Sequence, residues 1–503
     1  MITLESFKLL KKLSVTNIRI EPKQVKAAYC VEKFSGEESS FELIYSYEHP
    51  YFNKKIATDI NLASMMLSQV ALNYGLFFET IEFDGLFDKT DQRFLTDMME
   101  NTSREILTNK LLIKNDFIKA PFAALKPEKR DRYTQSKLVF TNSQFQPVKL
   151  NPEIKESDQN KYAILSSGGK DSLLTYGIIK EIAEPYPVFI NEAGRHWFSA
   201  VNAHRYSKAT EPNTEKPWCN SDRLFNWMLK QLPFIKENYA SIRSDIYPVR
   251  LWTVAVFLFG VLPIAIKKGI GNILIGDEYD TTEKGNLHGI SHYNGLYDQS
   301  KYFDNALTRY YRSKGWSINQ FSILRSLGEL LIMKILIKRY PDLQQHQTSC
   351  HAAHEFNDRM HPCGKCEKCR RITGMLKALD ENPERCGYSQ AQIEQGLKAL
   401  EQKSIKQLGS DAAQLYFLLL QKGLLNKNEF TLKVAKEHPE IMKLRFDKLR
   451  SNLEDMPKYI RKPLFNIFLQ YTNGAVVRRN NHWVEVEVDE VFLNEVNYKL
   501  DEK

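Results

Sequence analysis

The stretch "YAILSSGGKDSLLTYGIIKE", Tyr162 to Glu181, decides how this chain is read. An apolar run ends in small residues, and the segment that follows carries helical spacing, so the order is strand, loop, helix. The adjacent Gly168 and Gly169 let a backbone approach a polyphosphate closely and turn successive N–H groups toward it. The helix behind the loop adds its positive N-terminal end, and Ser167 and Ser172 supply hydroxyls. Asp171 repels a phosphate, so its natural role is to hold a Mg²⁺ that bridges phosphates. The commonest phosphate-loop rule fails here. It needs a glycine where Ile164 stands and Ser or Thr where Asp171 stands. The dinucleotide fingerprint fails too, because Ser172 occupies its third glycine position.

Around this loop, strands and helices alternate. "YPVFINEAG" reads as a strand, "LWTVAVFLFGVLPIAIKKGI" as a helix, and "NILIGDEYD" as a strand with an acidic mouth. Such alternation implies an α/β fold with a doubly wound parallel sheet, whose ligands sit at the carboxyl ends of strands. Both SSGGKDS and GDEYD follow strand ends, so one shared crevice is expected. Residues 1–155 form an expected N-terminal α+β unit, with strands at Phe41–Tyr47 and Phe77–Phe83 and helices at Ile60–Gly75 and Asp91–Leu112. The core is expected over 156–345, with polar connections at Lys126–Lys137 and Asn151–Lys161. A helical extension over 376–503 includes Ser389–Gln402, Asp411–Gly423 and the stretch to about Leu453. It ends in a hairpin around Asn480 and Asn481.

Between core and extension, residues 346–375 hold Cys350, Cys363, Cys366 and Cys369, with 12, 2 and 2 residues between successive cysteines. Four thiolates so spaced can surround one tetrahedral Zn²⁺, with Gly364 easing the turn and Lys365, Lys368, Arg370 and Arg371 offsetting the charge. An iron–sulfur cluster is the alternative. His351, His354 and His361 are spare donors that four cysteines make unnecessary, and Cys30, Cys219 and Cys386 read as packing.

The six residues of S-G-G-K-D-S match the S-G-G-x-D-S signature of the PP-loop ATP pyrophosphatases, and the chain resembles that superfamily. The resemblance implies ATP bound through Ser166, Ser167, Gly168, Gly169, Lys170, Asp171, Ser172 and Asn191. It implies catalytic roles for Lys170, Asp171, Ser172, Asp277 and Glu278, with Mg²⁺ on Asp171 and Asp277. Family members cleave ATP between the α- and β-phosphates, transfer AMP to a carboxylate or carbonyl oxygen, and let a nitrogen nucleophile displace it. Together with the late cysteines, the loop looks like QueC, the 7-cyano-7-deazaguanine synthase, over roughly residues 160–375. The flanks and the loops "FINEAGRHWFSAVNAHRY" and "GDEYDTTEKGNLHGISHYNGLYDQS" depart from QueC. The loops look closer to MurL, an ATP-using epimerase of a muramoyl-peptide glutamate that also has an N-terminal domain, and enlarged QueC-like proteins also occur in anti-phage operons (type IV CBASS and Qat). A small-molecule carboxylate is the expected substrate, best matched by 7-carboxy-7-deazaguanine, and the flanks leave room for a protein partner. Arg250, Asp280 and His196 are the candidate substrate contacts.

Composition limits the alternatives. With 43% hydrophobic and 26% charged residues, the chain is expected to be globular. Seventy basic against 61 acidic residues give +9, a mild excess that suits an anionic ligand and does not argue for nucleic acid. A tRNA-modifying enzyme would need a more concentrated basic face, and a non-catalytic scaffold would not need an intact loop. The apolar run Leu251–Ile266 is 16 residues long and contains Pro263, short of a membrane span. No secretory pattern follows Met1, and a cytoplasmic location is expected.

Overall fold

A computed structural model describes residues 2–143, 157–242, 247–293, 297–350, 352–405 and 409–501. The chain begins with two long antiparallel strands, β1 (Leu10–Glu21) and β2 (Gln24–Glu32), followed by β3 (Glu38–Ser46). In β2 the odd positions Val25, Ala27, Tyr29 and Val31 are buried while the even ones are half-exposed, the period of a sheet with one covered face. Helix α1 (Ala57–Ser68) packs on that face, and α2 (Lys89–Ile106) packs on the 3₁₀ turn Gln69–Tyr74 that follows α1 before running on into a π-helical turn, Leu107–Leu111. Strands β4 (Phe78–Asp84) and β5 (Lys137–Thr141) join in parallel on the other side of β1.

The chain then builds a second sheet. Strand β6 (Asp158–Leu165) leads through the glycine loop into α3 (Lys170–Ile182) and the adjacent strand β7 (Glu184–Val188). Next come α4 (His196–Thr210), the two-residue strand β8 (Trp218–Cys219), α5 (Ser221–Gln231) and α6 (Val254–Lys268). Strand β9 (Ile270–Leu274) lies on the opposite side of β6 from β7. A small hairpin follows, β10 (Gly285–Leu287) and β11 (Ile290–His292), then α7 (Lys301–Ser313) and β12 (Asn319–Phe321) beside β9. The order β12-β9-β6-β7 is parallel throughout, and the chain reverses direction across the sheet between β6 and β9. The loops after those two strands therefore open onto one crevice.

Both sheet faces are covered. Ala163 and Ile273 join a core with α6 and the N-terminal sheet, whereas Tyr162, Ile164 and Leu274 join a second core. That second core takes in α3, α8 (Glu329–Arg339) and the C-terminal elements, with the short α9 (Pro341–Gln344) following α8. Burial on both faces is why the strands read as continuous apolar runs. The first core runs without a break across the boundary expected near residue 155, and β8 hydrogen-bonds to β3 at the edge of the N-terminal sheet. Most of the connection expected at Asn151–Lys161 lies outside the described residues.

The remainder comprises the hairpin β13 (His354–Phe356) and β14 (Arg359–His361), α10 (Glu367–Ala378), α11 (Gln390–Leu400), α12 (Gly409–Gln421) and α13 (Glu429–Val434). Then come β15 (Leu444–Phe446), α14 (Lys458–Leu469), β16 (Ala475–Arg479), β17 (His482–Val486) and α15 (Glu490–Asn494). The helix expected to reach Leu453 ends at Val434, where "KEHPE" introduces Pro439 and a 3₁₀ turn. The expected hairpin forms, with Asn480 and Asn481 both at positive φ, yet it is not terminal: β15 completes a three-stranded sheet and α15 follows. Among the described residues, no helix is long and apolar enough to cross a membrane.

Asp298 caps α6 from outside the helix, one carboxylate oxygen accepting from the backbone N–H groups of Thr253, Val254 and Ala255. Burial nevertheless pushes its carboxyl up to about 6 against those donors. The folded chain thus holds a proton that the unfolded chain has released above about pH 4, so this site costs stability as pH rises from 4 through 6. Asp298→Asn should narrow the difference between urea midpoints at pH 4.5 and 7, and an unchanged difference would exclude this titration.

Candidate functional site

Gly168 has φ +73°, and a Cβ there would stand 2.4 Å from the Ser199 carbonyl oxygen of α4. The loop packs so closely on α4 that only glycine serves. Gly169 begins α3 with no side chain capping the helix, so the first-turn N–H groups face the crevice mouth. Ser166 and Ser172 lie buried with hydroxyls 3.3 Å apart, and the Ser172 hydroxyl donates to the Gly169 carbonyl. Ser167 is exposed, and its carbonyl accepts from Ser199 Oγ at 3.3 Å. Across the crevice, a Cβ on Gly276 would fall 2.8 Å from Asp171 Cβ, so the acidic turn after β9 lies flush against the phosphate-type loop.

Lys170 does not reach outward. Its ammonium is buried, 2.6 Å from Asp171 Oδ1, 3.3 Å from Glu278 Oε2 and 3.6 Å from Glu329 Oε1. Burial opposes its charge, but the three carboxylates outweigh burial and hold it above the ordinary lysine value. Glu329, at the start of α8, also takes Arg371 Nη1 of α10 at 3.3 Å on the same Oε1. Its carboxyl sits below the usual range because Lys170 and Arg371 overcome burial. Burial, then the Glu329 charge, push Glu278 well above that range. Glu329 Oε2 is buried with no donor among fixed hydrogens, and a proton on Glu278 would supply one. Burial thus favours a proton on Glu278, while the two cations favour the charged form of Glu329.

Three expected members turn elsewhere. Asp277 lies 3.4 Å from Arg325, which also binds Asp304, and burial pushes its carboxyl well up. Asp280 pairs with Arg450 at 3.3 Å and is pushed up to about 7 by burial and the nearby Asp411. Asn191 folds back on its own loop, its Oδ1 accepting from Ala193 N–H at 3.0 Å. The loop residues, Asp171 and Glu278 thus converge, whereas Asp277 and Asp280 face separate arginines. Arg250 pairs with Asp222 at 2.8 Å, and His196 Nε2 meets Tyr247 Oη at 2.6 Å.

The cysteines converge. Sulfur–sulfur distances are 3.9 Å for Cys350–Cys366, 3.8 Å for Cys363–Cys369 and 3.4 Å for Cys366–Cys369. All four sulfurs lie within 4.8 Å of one another. Zn–S bonds of about 2.3 Å imply tetrahedral edges of about 3.8 Å, so this donor set fits a single zinc ion. The N–H groups of Ala352 and Cys363 donate to Cys350 Sγ at 3.3 Å, and that of Lys365 to Cys363 Sγ at 3.4 Å, which suits thiolates. Gly364, at φ +72°, makes the turn between ligands. His354 and His361 pair across the β13–β14 hairpin and stand outside the cluster, and His351 lies outside the described residues. Of the cations expected to offset the thiolates, Arg371 is engaged with Glu329 instead.

The chain matches no protein-family model. Nor does any curated protein match it. The chemistry of the site therefore rests on the residues themselves.

Three contacts were missed by the sequence reading. Glu329 follows β12, whose three residues are too short to stand out, so nothing marked that sheet end. Arg371 read as a zinc neighbour. Thr348, whose N–H donates to the Gly168 carbonyl at 3.1 Å, ties the cysteine segment to the glycine loop, and no local signal announces it.

Proposed function

We propose that this chain is an α/β enzyme that binds ATP at Ser166–Ser172 and transfers AMP to a carboxylate. The observation that carries this reading is the uncapped, glycine-led N-terminus of α3, placed beside the acidic turn after β9 where the sheet reverses direction. A substrate carboxylate oxygen attacks the α-phosphorus, the bond from that phosphorus to the bridging oxygen breaks, and pyrophosphate leaves. A nitrogen nucleophile then takes the acyl carbon and AMP departs. First-turn N–H groups of α3 would stabilise the charge gathering on pyrophosphate. Lys170 would act as a strut, fixing Asp171 and Glu278 from below. Asp171 is 30% exposed at its side chain and could take one end of a Mg²⁺; Asp277, turned to Arg325, does not complete a pair, so no step is assigned to the metal. Among family chemistries, the QueC-like conversion of 7-carboxy-7-deazaguanine to an amide or nitrile, or its conjugation to a protein amine, fits best. The four-cysteine centre beside the loop is the feature that supports it.

The test is exchange of labelled pyrophosphate into ATP, with 7-carboxy-7-deazaguanine and a muramoyl peptide as separate acyl acceptors. Carboxylate-dependent exchange with AMP as product is expected, falling at least about 100-fold in Asp171→Asn, which removes the partly exposed carboxylate that would hold the Mg²⁺. Formation of ADP and phosphate would defeat the proposal. Absence of ATP binding would favour a scaffold.

A further inference from the structure

A second set of buried charges lies near the first turn of α4, where His196 meets Tyr247. Arg250 sits between the ring of Tyr247, 3.6 Å from its centroid, and that of Phe225, at 4.8 Å. Its Nη1 donates to Asp222, but its Nε is buried with no hydrogen-bond partner among the described residues. Lys110 lies on the π-helical turn after α2 and is 6% exposed. Among the described residues no carboxylate pairs with its ammonium.

The backbone segments that carry the two cations are tied together by short, specific bonds. Asn115 Nδ2 donates at 2.9 Å to the carbonyls of both Lys110 and Pro248, stapling the π turn to the segment that carries Arg250. Asn73 grips the other side, its Oδ1 accepting from Leu251 and Trp252 N–H and its Nδ2 donating to the Trp252 carbonyl. Burial, with the Arg250 charge behind it, pushes the Lys110 ammonium down to about 8, so it remains largely charged at neutral pH. Glu192, another acid within electrostatic reach of Arg250, is pushed toward its neutral form by burial, and its Oε1 accepts from Trp197 N–H. Among the described residues, one carboxylate, Asp222, is bonded to Arg250 and none to Lys110. An uncompensated charge of this kind is costly to the fold, and an anion bound beside it would offset that cost. A π turn is a recurrent place for such a function.

We propose that Lys110 and the free Nε edge of Arg250 form an internal receptor for a small anion, a carboxylate or a phosphate group, flanked by Tyr247 and Phe225. The aromatic walls cover the faces of the guanidinium and leave its edge as the donor, an arrangement that suits a planar carboxylate. One helix joins this receptor to the glycine loop: His196 in the first turn of α4 bonds Tyr247, and Ser199 one turn on bonds the Ser167 carbonyl. The receptor does not depend on the loop binding ATP.

Thermal melts test it, with sodium benzoate or sodium phosphate compared against chloride at equal ionic strength. Wild type should gain about 3 °C in at least one of the two anions near saturation. Lys110→Met should gain less than a third of that, with an anion-free midpoint at or above wild type. A gain in benzoate alone identifies a carboxylate receptor, and one in phosphate alone a phosphate receptor. Equal gains in both proteins, or none in wild type, would overturn the proposal. So would a Lys110→Met chain that fails to fold, since the ammonium would then already be paired.

Discussion

Protein purified without added metal should carry one zinc ion per chain, and stripping that ion should melt the C-terminal core before the N-terminal sheet. Cys350 and Cys369 are buried inside the core formed by α3, α8 and the elements that follow. Zinc at such sites is worth about 10–16 kcal/mol of apparent binding energy in small modules, as much as the whole stability of many domains. Without the ion, four sulfurs within 4.8 Å of one another would either repel as thiolates or take up protons and lose their N–H donors. Cys369→Ser should therefore yield a chain with little cooperative melting in that half. The loss should travel. Thr348 bonds the Gly168 carbonyl, and Arg371, on the same helix as Cys369, holds Glu329. Hydrogen exchange at residues 168–173 should accelerate when the metal is removed. Unchanged exchange there would mean that the cysteine module and the loop are independent, and iron or no metal in the purified protein would refute the zinc assignment.

Lys170→Met should cost about 3–5 kcal/mol near neutral pH, the penalty for breaking a buried ionic cluster from one side. The variant leaves Asp171, Glu278 and Glu329 around a methyl group, with Arg371 alone opposing them. The sign with pH follows from Glu329. Burial opposes its charge, but Lys170 and Arg371 hold its carboxyl below the usual range, so in wild type it adds stability above about pH 4.5 that the variant, without the ammonium, loses as pH climbs. Urea midpoints of wild type and variant should lie closest at pH 5 and furthest apart at pH 8. In wild type the Lys170 contribution is complete below its unfolded value of 10.5 and is lost only above that. Lys170→Met with Glu278→Gln should recover part of the stability. A single variant as stable as wild type at pH 8 would mean that the cluster is solvated.

The parallel sheet was legible because its strands are short, doubly buried and punctuated by small residues, and because SSGGKDS names its own conformation. The cysteine cluster was legible from spacing alone. The strands β1 and β2 were not read, although Val25, Ala27, Tyr29 and Val31 alternate cleanly; Lys11, Lys12, Ser14 and Thr16 in β1 diluted the pattern there. The two acidic candidates that turn away, Asp277 and Asp280, could not be sorted from Glu278 by sequence. Adjacent residues in a tight turn point in different directions, and which one meets Lys170 depends on where Arg325 and Arg450 arrive from distant elements. Likewise the Lys110 turn and the segment carrying Arg250 are joined through Asn115, and Asn73 holds that segment's backbone, contacts whose partners are far apart in sequence.

The pairing of β8 with β3 gives the molecule an order of assembly. Residue 219 closes a sheet begun at residue 10, Tyr47 donates its hydroxyl to the Gly260 carbonyl in α6, and Tyr51 donates to Glu215. A nascent chain cannot complete its N-terminal sheet until the middle of the molecule has emerged, so the first 155 residues wait, with β3 an open edge, for the rest to be synthesised. Folding at one end of this chain is thus governed by its centre, and slow synthesis between residues 155 and 260 would prolong the interval in which β3 can pair with the wrong strand.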